Sequence, residues 1–327
     1  MKKGTEKKER PPRPHGRFDF DQIRYEIKDD GTIEFDVKIA PKYEPVSING
    51  KKAYRDKYTG DIYDQDAVID LVNQLFSKEN LSVYSTPPKT FDYCSFLRDR
   101  KQELINHWNE QYELEPGKNQ IDHFFETYKG DTRVVVLFTD VEGSTKLSAE
   151  LEPVTYNKII KIFVLEMSLI IDNFNGYIFK TGGDSVIGIF PADVNLNSMC
   201  DLAVQAAMLM RSIVEDVINP VFANNGLPEI GCHIGVDIGN VTVDRHGARN
   251  IASFDEIIGH AMNLTAKIQS LAKHNEILLG RRLYEILFYR LQEQCTEVHF
   301  SQSDWSLWDP VEDKRYQIYL FSGKWPC

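Results

Sequence analysis

Hydrophobic and polar residues follow patterns that predict a layered domain in the C-terminal part of the chain. Residues 133–138 form an apolar, β-branched run, which is typical of a buried strand. The run leads into Asp140, and Gly143 then breaks the strand and opens a helix. Residues 154–175 predict a long helix, because apolar side chains recur at helical spacing at Ile159, Ile162, Phe163, Met167, Ile170 and Ile171.

The pattern downstream continues this layered arrangement. Residues 177–190 predict a β-hairpin around a Gly-Gly turn. The elements predicted after the hairpin are a helix over 202–217, strands over 230–238 and 241–244, a helix over 260–273 and a strand over 276–279. The order strand, helix, strand, strand, helix, strand predicts an α+β, ferredoxin-like domain over residues 129–327, with an antiparallel sheet and helices on one face.

The N-terminal third carries a different pattern. Residues 1–17 are rich in proline and contain seven Lys or Arg against two Glu, which predicts a disordered basic tail. Residues 18–128 predict a small α+β module, with a strand over 32–39, a strand pair over 54–63, a helix over 66–76 and a helix between Leu97 and Trp108. Its role stays open between a packing or dimerising appendage and a regulatory input domain.

Composition and charge narrow the classes of function. The chain has 327 residues, enough for one large or two ordinary domains, and its net charge of −11 argues against a general nucleic-acid binder. Five scattered cysteines without metal-ligand spacing predict free thiols in a reducing cytosol. No apolar run reaches the roughly 18 residues of a membrane span, so we expect a cytoplasmic protein without a membrane segment.

Two acidic residues give the chain its candidate chemistry. Asp140 follows a buried strand, and Asp184 lies at the turn of the predicted hairpin, 44 residues further on. Either acid alone is typical of a solvated loop. An acid at a strand end, followed by free backbone N–H groups, can hold a cation and the phosphates that the cation neutralises. Together the two acids have the layout of a carboxylate pair for two metal ions.

The motifs around these acids resemble those of class III nucleotide cyclases. Residues 138–145 (FTDVEGST) are similar to the first metal motif of that family, and the spacing to Asp184 is also similar. Residues 235–239 (GVDIG) and 259–267 (GHAMNLTAK) resemble later motifs in the same order. The resemblance covers about residues 131–321. It implies an enzyme that cyclises a nucleoside triphosphate with two divalent cations, Mg²⁺ or Mn²⁺.

The resemblance also implies roles for individual residues. Metal ligands would be Asp140, Asp184 and the Val141 carbonyl. Phosphates would be bound by backbone N–H groups of Val141, Glu142, Gly143, Ser144 and Thr145, although Glu142, Ser144 and Thr145 are equally typical of a helix N-cap cluster. Lys180 and Glu256 would read the base, Asn263 would orient the ribose, and Lys267 would stabilise charge in the transition state.

Three positions depart from the pattern that the resemblance implies. Glu256 stands where adenylate cyclases usually have Asp or Thr, so the acid reaches one methylene further. Lys267 replaces an arginine and lacks its planar, bidentate fork. The usual phosphate-binding lysine aligns with Asp313, with Lys314 and Arg315 beside it.

The family builds each site from two chains, so one such domain implies a homodimer with two composite sites. ATP is the favoured substrate because of Lys180, and Glu256 leaves open a pyrimidine cyclase of bacterial antiphage defence that makes cUMP or cCMP. A GGDEF-type diguanylate cyclase is disfavoured because Ser185 follows Asp184 where that motif has an acid. A catalytically inactive nucleotide-binding regulator is the alternative from another class.

Overall fold

The computed structural model describes residues 17–28, 33–75, 92–106, 108, 121–193, 195–248, 252–309 and 313–325. The chain divides into two compact units, of which one comprises Met1–Tyr84 and Glu285–Glu293 and the other comprises Ser85–Tyr284 and Gln294–Cys327. The boundary at residue 128 expected from the sequence stays a prediction. Residues 1–16 of the predicted basic tail lie outside the described residues.

The first unit is a small α+β body. Its elements are β1 (Phe20–Ile27), β2 (Ile33–Ile39), β3 (Tyr43–Ile48), β4 (Lys51–Asp56), β5 (Ile62–Asp64) and α1 (Gln65–Leu75). Strands β1 and β2 form one antiparallel ribbon, and β3, β4 and β5 form an antiparallel sheet. Tyr289, from the segment Glu285–Glu293, is buried in the core of this unit together with Phe18 and Tyr43. Buried Lys42 forms ion pairs with Asp19 and Asp56 there.

The second unit begins with helices and continues into a large sheet. Its first elements are α2 (Tyr93–Asn106), α3 (Ile121–Thr127), β6 (Gly130–Val141), α4 (Ser144–Glu150), α5 (Pro153–Asn173), β7 (Tyr177–Gly182), β8 (Ser185–Pro191) and α6 (Leu196–Ile213). A π-helical turn at Val214–Ile218 leads from α6 into α7 (Asn219–Asn224). The structure thus confirms the predicted order of the first metal motif, the long helix, the hairpin and the second helix.

The remaining elements include the other strands of the large sheet and a separate two-stranded ribbon. They are β9 (Cys232–Ala248), β10 (Ala252–Ile258), α8 (His260–Gln269), β11 (Ile277–Gly280), α9 (Arg281–Tyr284), α10 (Tyr289–Gln292, in the first unit), β12 (Cys295–Val298), β13 (Trp308–Asp309), β14 (Lys314–Arg315) and β15 (Ile318–Phe321). The strands predicted over 230–238 and 241–244 form one continuous strand, β9. Gly239 and Asn240, which separate the two predicted strands, both pair with β6, opposite Val134 and Arg133.

The sheet of the second unit has the order β12-β15-β11-β9-β6-β8-β7. Strand β10 pairs with residues 242–248, the C-terminal part of β9. The central strands β9-β6-β8-β7 are all antiparallel and have the ferredoxin-like order, which confirms the predicted α+β fold. The pairing of β11 with β9 is parallel. Strand β6 therefore lies in the middle of the sheet, with Asp140 close to its end.

Helices cover both faces of the sheet. Ile171 of α5 packs on Gly188, which faces one side, whereas Ala261 of α8 packs on Gly239, which faces the other. The prediction of helices on one face is wrong because the side chains of β6 are buried on both faces: Val134, Val135, Val136 and Leu137 are fully buried. Helices α3 and α8 supply the second cover.

Two further expectations concern cysteines and membrane segments. Cys94 takes part in a disulfide bond, whereas Cys200, Cys232 and Cys295 lie outside any disulfide. The prediction of free thiols is wrong for Cys94, because spacing along a sequence does not reveal which cysteines meet in space. Within the part of the chain that the structure describes, every helix is too short or too polar to cross a bilayer.

Candidate active site

Asp140 lies where β6 leaves the sheet. Thr139 is paired with Val186 of β8, and on the other side Asp140 itself is opposite His233 of β9. The Asp140 Oδ1 atom is buried and lies 3.3 Å from His233 Nδ1, yet it accepts no well-aligned hydrogen bond from a described residue. A buried carboxylate oxygen without such a bond is costly unless a further group satisfies it.

Asp184 lies in the tight turn between β7 and β8. Gly182 pairs with Ser185 across the turn, and Gly183 adopts a left-handed conformation with φ 63°. Because Val186 pairs with Thr139, the turn that carries Asp184 lies at the same end of the sheet as Asp140. The structure therefore brings the two predicted metal acids to adjoining strand ends.

The segment between β6 and α4 forms the turn predicted to bind phosphates. Gly143 is left-handed with φ 66°, and its carbonyl accepts hydrogen bonds from the N–H groups of Lys146 and Leu147 as α4 begins. The Glu142 N–H donates to the Gly231 carbonyl at 3.0 Å. The first N–H groups of a helix lack intrahelical acceptors, so those of Ser144 and Thr145 suit an anion. The N-cap residue is Gly143 and no side chain caps the helix, so Ser144 and Thr145 do not act as caps.

Two histidines, which the sequence analysis missed, face the acids of this motif. The Asp140 carboxylate raises the pKa of His233 above its ordinary value, and burial acts in the opposite direction. His274 Nδ1 contacts the Glu142 carboxylate. A signal for His233 was available, because it lies two residues before the glycine of the GVDIG motif. His274 is 132 residues away from Glu142 in sequence and carried no comparable signal.

The predicted base-reading residues meet each other. Lys180 Nζ lies 3.6 Å from Glu256 Oε2, with the Lys180 side chain exposed and Glu256 half-buried. A β-bulge precedes the lysine: Ile178 pairs with Gly188 and Lys180 with Ile187, so Phe179 is the extra residue. The ring of Phe179 lies 5.7 Å from Lys180 Nζ. The bulge thus places an aromatic ring beside the ammonium group.

The predicted ribose and transition-state residues lie on α8. Asn263 and Lys267 are four residues apart, so they share one face of the helix, and both are exposed. Gly259 precedes the helix, and a Cβ there would approach the Asn240 carbonyl to 2.8 Å. The family glycine is therefore explained by close packing of the chain on β9.

The C-terminal cations lie in a short ribbon. Lys314 and Arg315 form β14, which pairs with Trp308 and Asp309 of β13, and Asp313 has a positive φ of 51°. Arg315 donates to the Phe300 carbonyl at 3.1 Å. The role of Lys314 or Arg315 as a substitute for the family's phosphate-binding lysine stays a prediction.

The acids fit divalent cations that arrive with a nucleotide. Among the described residues there is no group of three or more His, Cys, Asp or Glu side chains that could hold a metal ion without further ligands. Mg²⁺ is usually held by one or two carboxylates together with substrate phosphates and water. Asp140, with its unsatisfied buried oxygen, and Asp184 offer that set. The Val141 carbonyl as a further ligand stays a prediction.

Comparison with known proteins identifies the family. The sequence model of the adenylate and guanylate cyclase catalytic domain matches residues 127–305, which is more than half of the chain. The chain belongs to this family. The match contains both acids, the Gly143 turn, the Lys180–Glu256 pair and Asn263 with Lys267.

Curated relatives include cyclases for several nucleotides. An adenylate cyclase from Anabaena cylindrica is 28% identical over 144 residues, 43% of this chain and 28% of that protein. A cytidylate cyclase from Escherichia coli is 26% identical over 177 residues, 50% and 37% respectively. A uridylate cyclase from Rhodovulum sp. is 32% identical over 143 residues, 41% and 57% respectively. The chain thus spans between 28% and 57% of the length of these relatives.

Solved structures with the same fold include two cyclases. The guanylyl cyclase Cya2 superposes with a TM-score of 0.51 at 21% identity, over 61% of this chain and 96% of that one. The adenylyl cyclase CyaB from P. aeruginosa superposes with a TM-score of 0.51 at 23% identity, over 60% and 96%. These similarities show that the chain contains the class III cyclase fold.

Proposed function

We propose that the protein is a nucleotide cyclase, which converts a nucleoside triphosphate into a 3′,5′-cyclic nucleotide monophosphate and pyrophosphate. The observation that carries the proposal is the position of Asp140 and Asp184 at adjoining strand ends, next to the Gly143 turn. In the reaction the 3′-hydroxyl gives its proton to water and its oxygen bonds to the α-phosphorus, while the bond from that phosphorus to pyrophosphate breaks and its electron pair leaves with pyrophosphate. Two Mg²⁺ or Mn²⁺ ions held by Asp140 and Asp184 would stabilise the negative charge that develops in this reaction.

Each residue set has its own task in this proposal. Asp140, Asp184 and the Val141 carbonyl hold the cations. The N–H groups of Val141 and of residues 143–145 hold the β- and γ-phosphates, since an αL glycine and a helix start direct donors towards one point. The Glu142 N–H, which the sequence predicted to join them, is already bonded to the Gly231 carbonyl. Asn263 orients the ribose and Lys267 offsets charge on the transferring phosphate, as a point charge rather than a bidentate fork.

The Lys180–Glu256 pair is proposed to read the base. Lysine donates only, and a carboxylate accepts only, so the pair fits a base edge with a neighbouring acceptor and donor. Adenine offers a ring nitrogen and an amino group in this order. ATP is therefore the first candidate, in keeping with the resemblance of Lys180 to adenylate cyclases.

A pyrimidine nucleotide is the second candidate. Cytosine presents the same kind of edge as adenine, and uracil presents O4 and N3–H on a smaller ring. The additional methylene of Glu256 relative to Asp favours a base whose edge lies further away. Relatives named cytidylate and uridylate cyclases add support at low identity. This candidate would place the protein among the cyclases of bacterial antiphage defence.

The site is proposed to be completed by a second copy of the chain, as the family resemblance implies. Cations and phosphates would be held by one protomer, and base, ribose and transition-state charge by its partner. The exposed face of α8 and the exposed Lys180 leave these groups available to such a partner. The role of the N-terminal module as an appendage or input domain and a cytoplasmic location also belong to this proposal.

Product analysis tests the function directly. Purified full-length protein is incubated with ATP, CTP, GTP or UTP and Mn²⁺ or Mg²⁺, and the products are separated by chromatography. We expect a cyclic monophosphate and equimolar pyrophosphate from ATP, or from a pyrimidine triphosphate if the second candidate holds. Binding of triphosphates without product under all conditions would favour the inactive regulator.

A further inference from the structure

A carboxylate stands beside the predicted phosphate subsite. Glu142 lies between the metal acid Asp140 and the left-handed Gly143, within the segment whose N–H groups are proposed to bind phosphates. Its Oε2 atom contacts His274 Nδ1, from the loop between α8 and β11. The Glu142 side chain is about one-third exposed and the His274 ring is largely exposed. The pair is therefore accessible to solvent.

A glycine just before β9 makes room for this contact. Gly231 lies just before β9, and its carbonyl accepts the Glu142 N–H at 3.0 Å. A Cβ at position 231 would overlap both Glu142 Oε2 and His274 Nδ1. The carboxylate and the imidazole thus meet over the backbone of Gly231, on the side of the turn that faces the start of β9.

Asn275 fixes the orientation of the imidazole. The Asn275 side chain accepts from the Cys232 N–H at 2.9 Å and directs its amide nitrogen to His274 Nε2 at 3.3 Å. An amide that donates to Nε2 leaves the proton on Nδ1, which then donates to Glu142. The amide also donates to Glu215 at 3.2 Å. His274 is therefore anchored from behind as a donor towards the carboxylate.

The charge of Glu142 conflicts with the ligand expected at the turn. A triphosphate carries several negative charges, and a carboxylate free to move among the N–H donors would repel it and compete for them. We propose that His274 is a positioning residue that holds the Glu142 carboxylate away from the phosphate subsite. The inference rests on the proposed function, because it assumes that polyphosphate binds to this turn.

The test combines a single and a double substitution. His274→Ala releases Glu142, so the affinity for inorganic tripolyphosphate with Mn²⁺, measured by calorimetry, should fall about fivefold, the size of one partly exposed charge interaction. The KM for the cyclised triphosphate should rise by a similar factor with kcat little changed. Glu142→Gln in the His274→Ala background should restore both values, because the released side chain is then neutral. His274→Gln, which keeps a donor, should retain most of the affinity.

A matched control uses another exposed pair of the second unit. His299 Nδ1 lies 3.8 Å from Glu297 Oε1, and His299→Ala should leave the affinity and KM unchanged. Unchanged affinity in His274→Ala would overturn the inference, as would failure of the double variant to recover, since His274 would then contact phosphate itself or support the fold. A wild-type protein that binds neither tripolyphosphate nor any triphosphate would overturn the proposed function, and the inference with it.

Discussion

Lys180 Nζ lies 3.6 Å from Glu256 Oε2, so the two side chains proposed to read the base already form an ion pair within one chain. Lys180 is 60% exposed, and a pair this accessible contributes at most about 1 kcal/mol to folding. The pair is therefore poor at stabilising the fold. Its geometry is suited to a different task, because a ligand can replace water around both charges.

Substitution of this pair should change the choice of nucleotide. In Lys180→Ala or Glu256→Ala one polar group of the bound base loses its partner, which costs about 1–3 kcal/mol, or about 5- to 150-fold in discrimination. We expect a flatter preference among ATP, CTP, UTP and GTP, measured as kcat/KM for each. Arg245→Ala serves as a control because it removes a neighbouring ion pair with Asp255. If both variants keep the wild-type ranking while losing rate, the pair does not read the base.

The metal acids should be indispensable for turnover. Asp140→Ala or Asp184→Ala removes a proposed ligand of the cations and should lower kcat by at least about 100-fold with the fold intact. Cyclisation should also cease in chelator and return with added Mn²⁺. Asp131→Ala, at the opposite end of β6, is the matched control and should keep its activity. Full activity with unchanged metal dependence in either acid variant would contradict the assignment.

Elements with a local periodicity could be predicted from the sequence. The apolar run of β6, the stripe of α5 and the Gly-Gly turn before Asp184 all have short-range signals, and the structure contains each of them. The continuity of β9 was not predictable in this way. A glycine in the interior of a strand usually weakens it. Gly239 instead allows Ala261 of α8 to pack closely on β9, and that contact is visible only in three dimensions.

Long-range partners account for most of what the sequence did not reveal. The segment Glu285–Glu293 lies in the C-terminal part of the chain, yet it completes the core of the first unit through Tyr289. The tyrosine hydroxyl donates to Asp21 at 2.6 Å, across 268 positions. The bulge at Phe179 and the contact of His274 with Glu142 likewise depend on neighbours that no local pattern identifies.

A composite site predicts complementation between inactive chains. Asp184→Ala damages the metal half of the proposed site and Asn263→Ala the ribose half, so each variant should be nearly inactive alone. After subunit exchange about half of the dimers are mixed and each has one intact site, so activity should recover to about one quarter of wild type. Activity is measured after mixing, with exchange followed by fluorescence transfer between labelled chains. No recovery despite demonstrated exchange would indicate a site within one chain.

A buried carboxylate should make stability depend on pH. Burial raises the pKa of Asp237 to about 6, although the Tyr316 hydroxyl and the Ile238 N–H donate to it. The folded protein therefore holds this proton more tightly than the unfolded chain, so stability falls as pH rises from about 4 to about 6. Relative to its ordinary value of 3.8, this raised pKa corresponds to about 3 kcal/mol.

Asp237→Asn isolates this contribution, because an amide resembles the protonated acid. We expect the variant to gain about 3 kcal/mol over wild type at pH 8 and little at pH 4, measured by urea unfolding. A difference between the two proteins that is the same at both pH values would contradict the raised pKa. The comparison cancels the titration of other acids, which both proteins share.

A buried ion pair attaches α2 to α5 within the second unit. Arg100 donates from Nε and Nη2 to the two oxygens of Glu166 at 2.9 and 2.7 Å, and the Glu166 side chain is fully buried on α5. Burial raises the pKa of Glu166, which Arg100 opposes. Arg100→Ala should therefore destabilise the protein by about 3–5 kcal/mol, because a buried charge loses its partner.

Replacement of both charges separates the cost of an unpaired carboxylate from the loss of packing. In the double variant Arg100→Leu with Glu166→Leu no charge stays buried, so much of the stability lost in Arg100→Ala should return. Arg98→Ala, at an exposed position of the same helix, is the control and should change the free energy of unfolding by no more than about 0.5 kcal/mol. Urea unfolding of the three proteins measures these values. If Arg100→Ala has the same free energy of unfolding as the control, this pair does not hold α2 to α5.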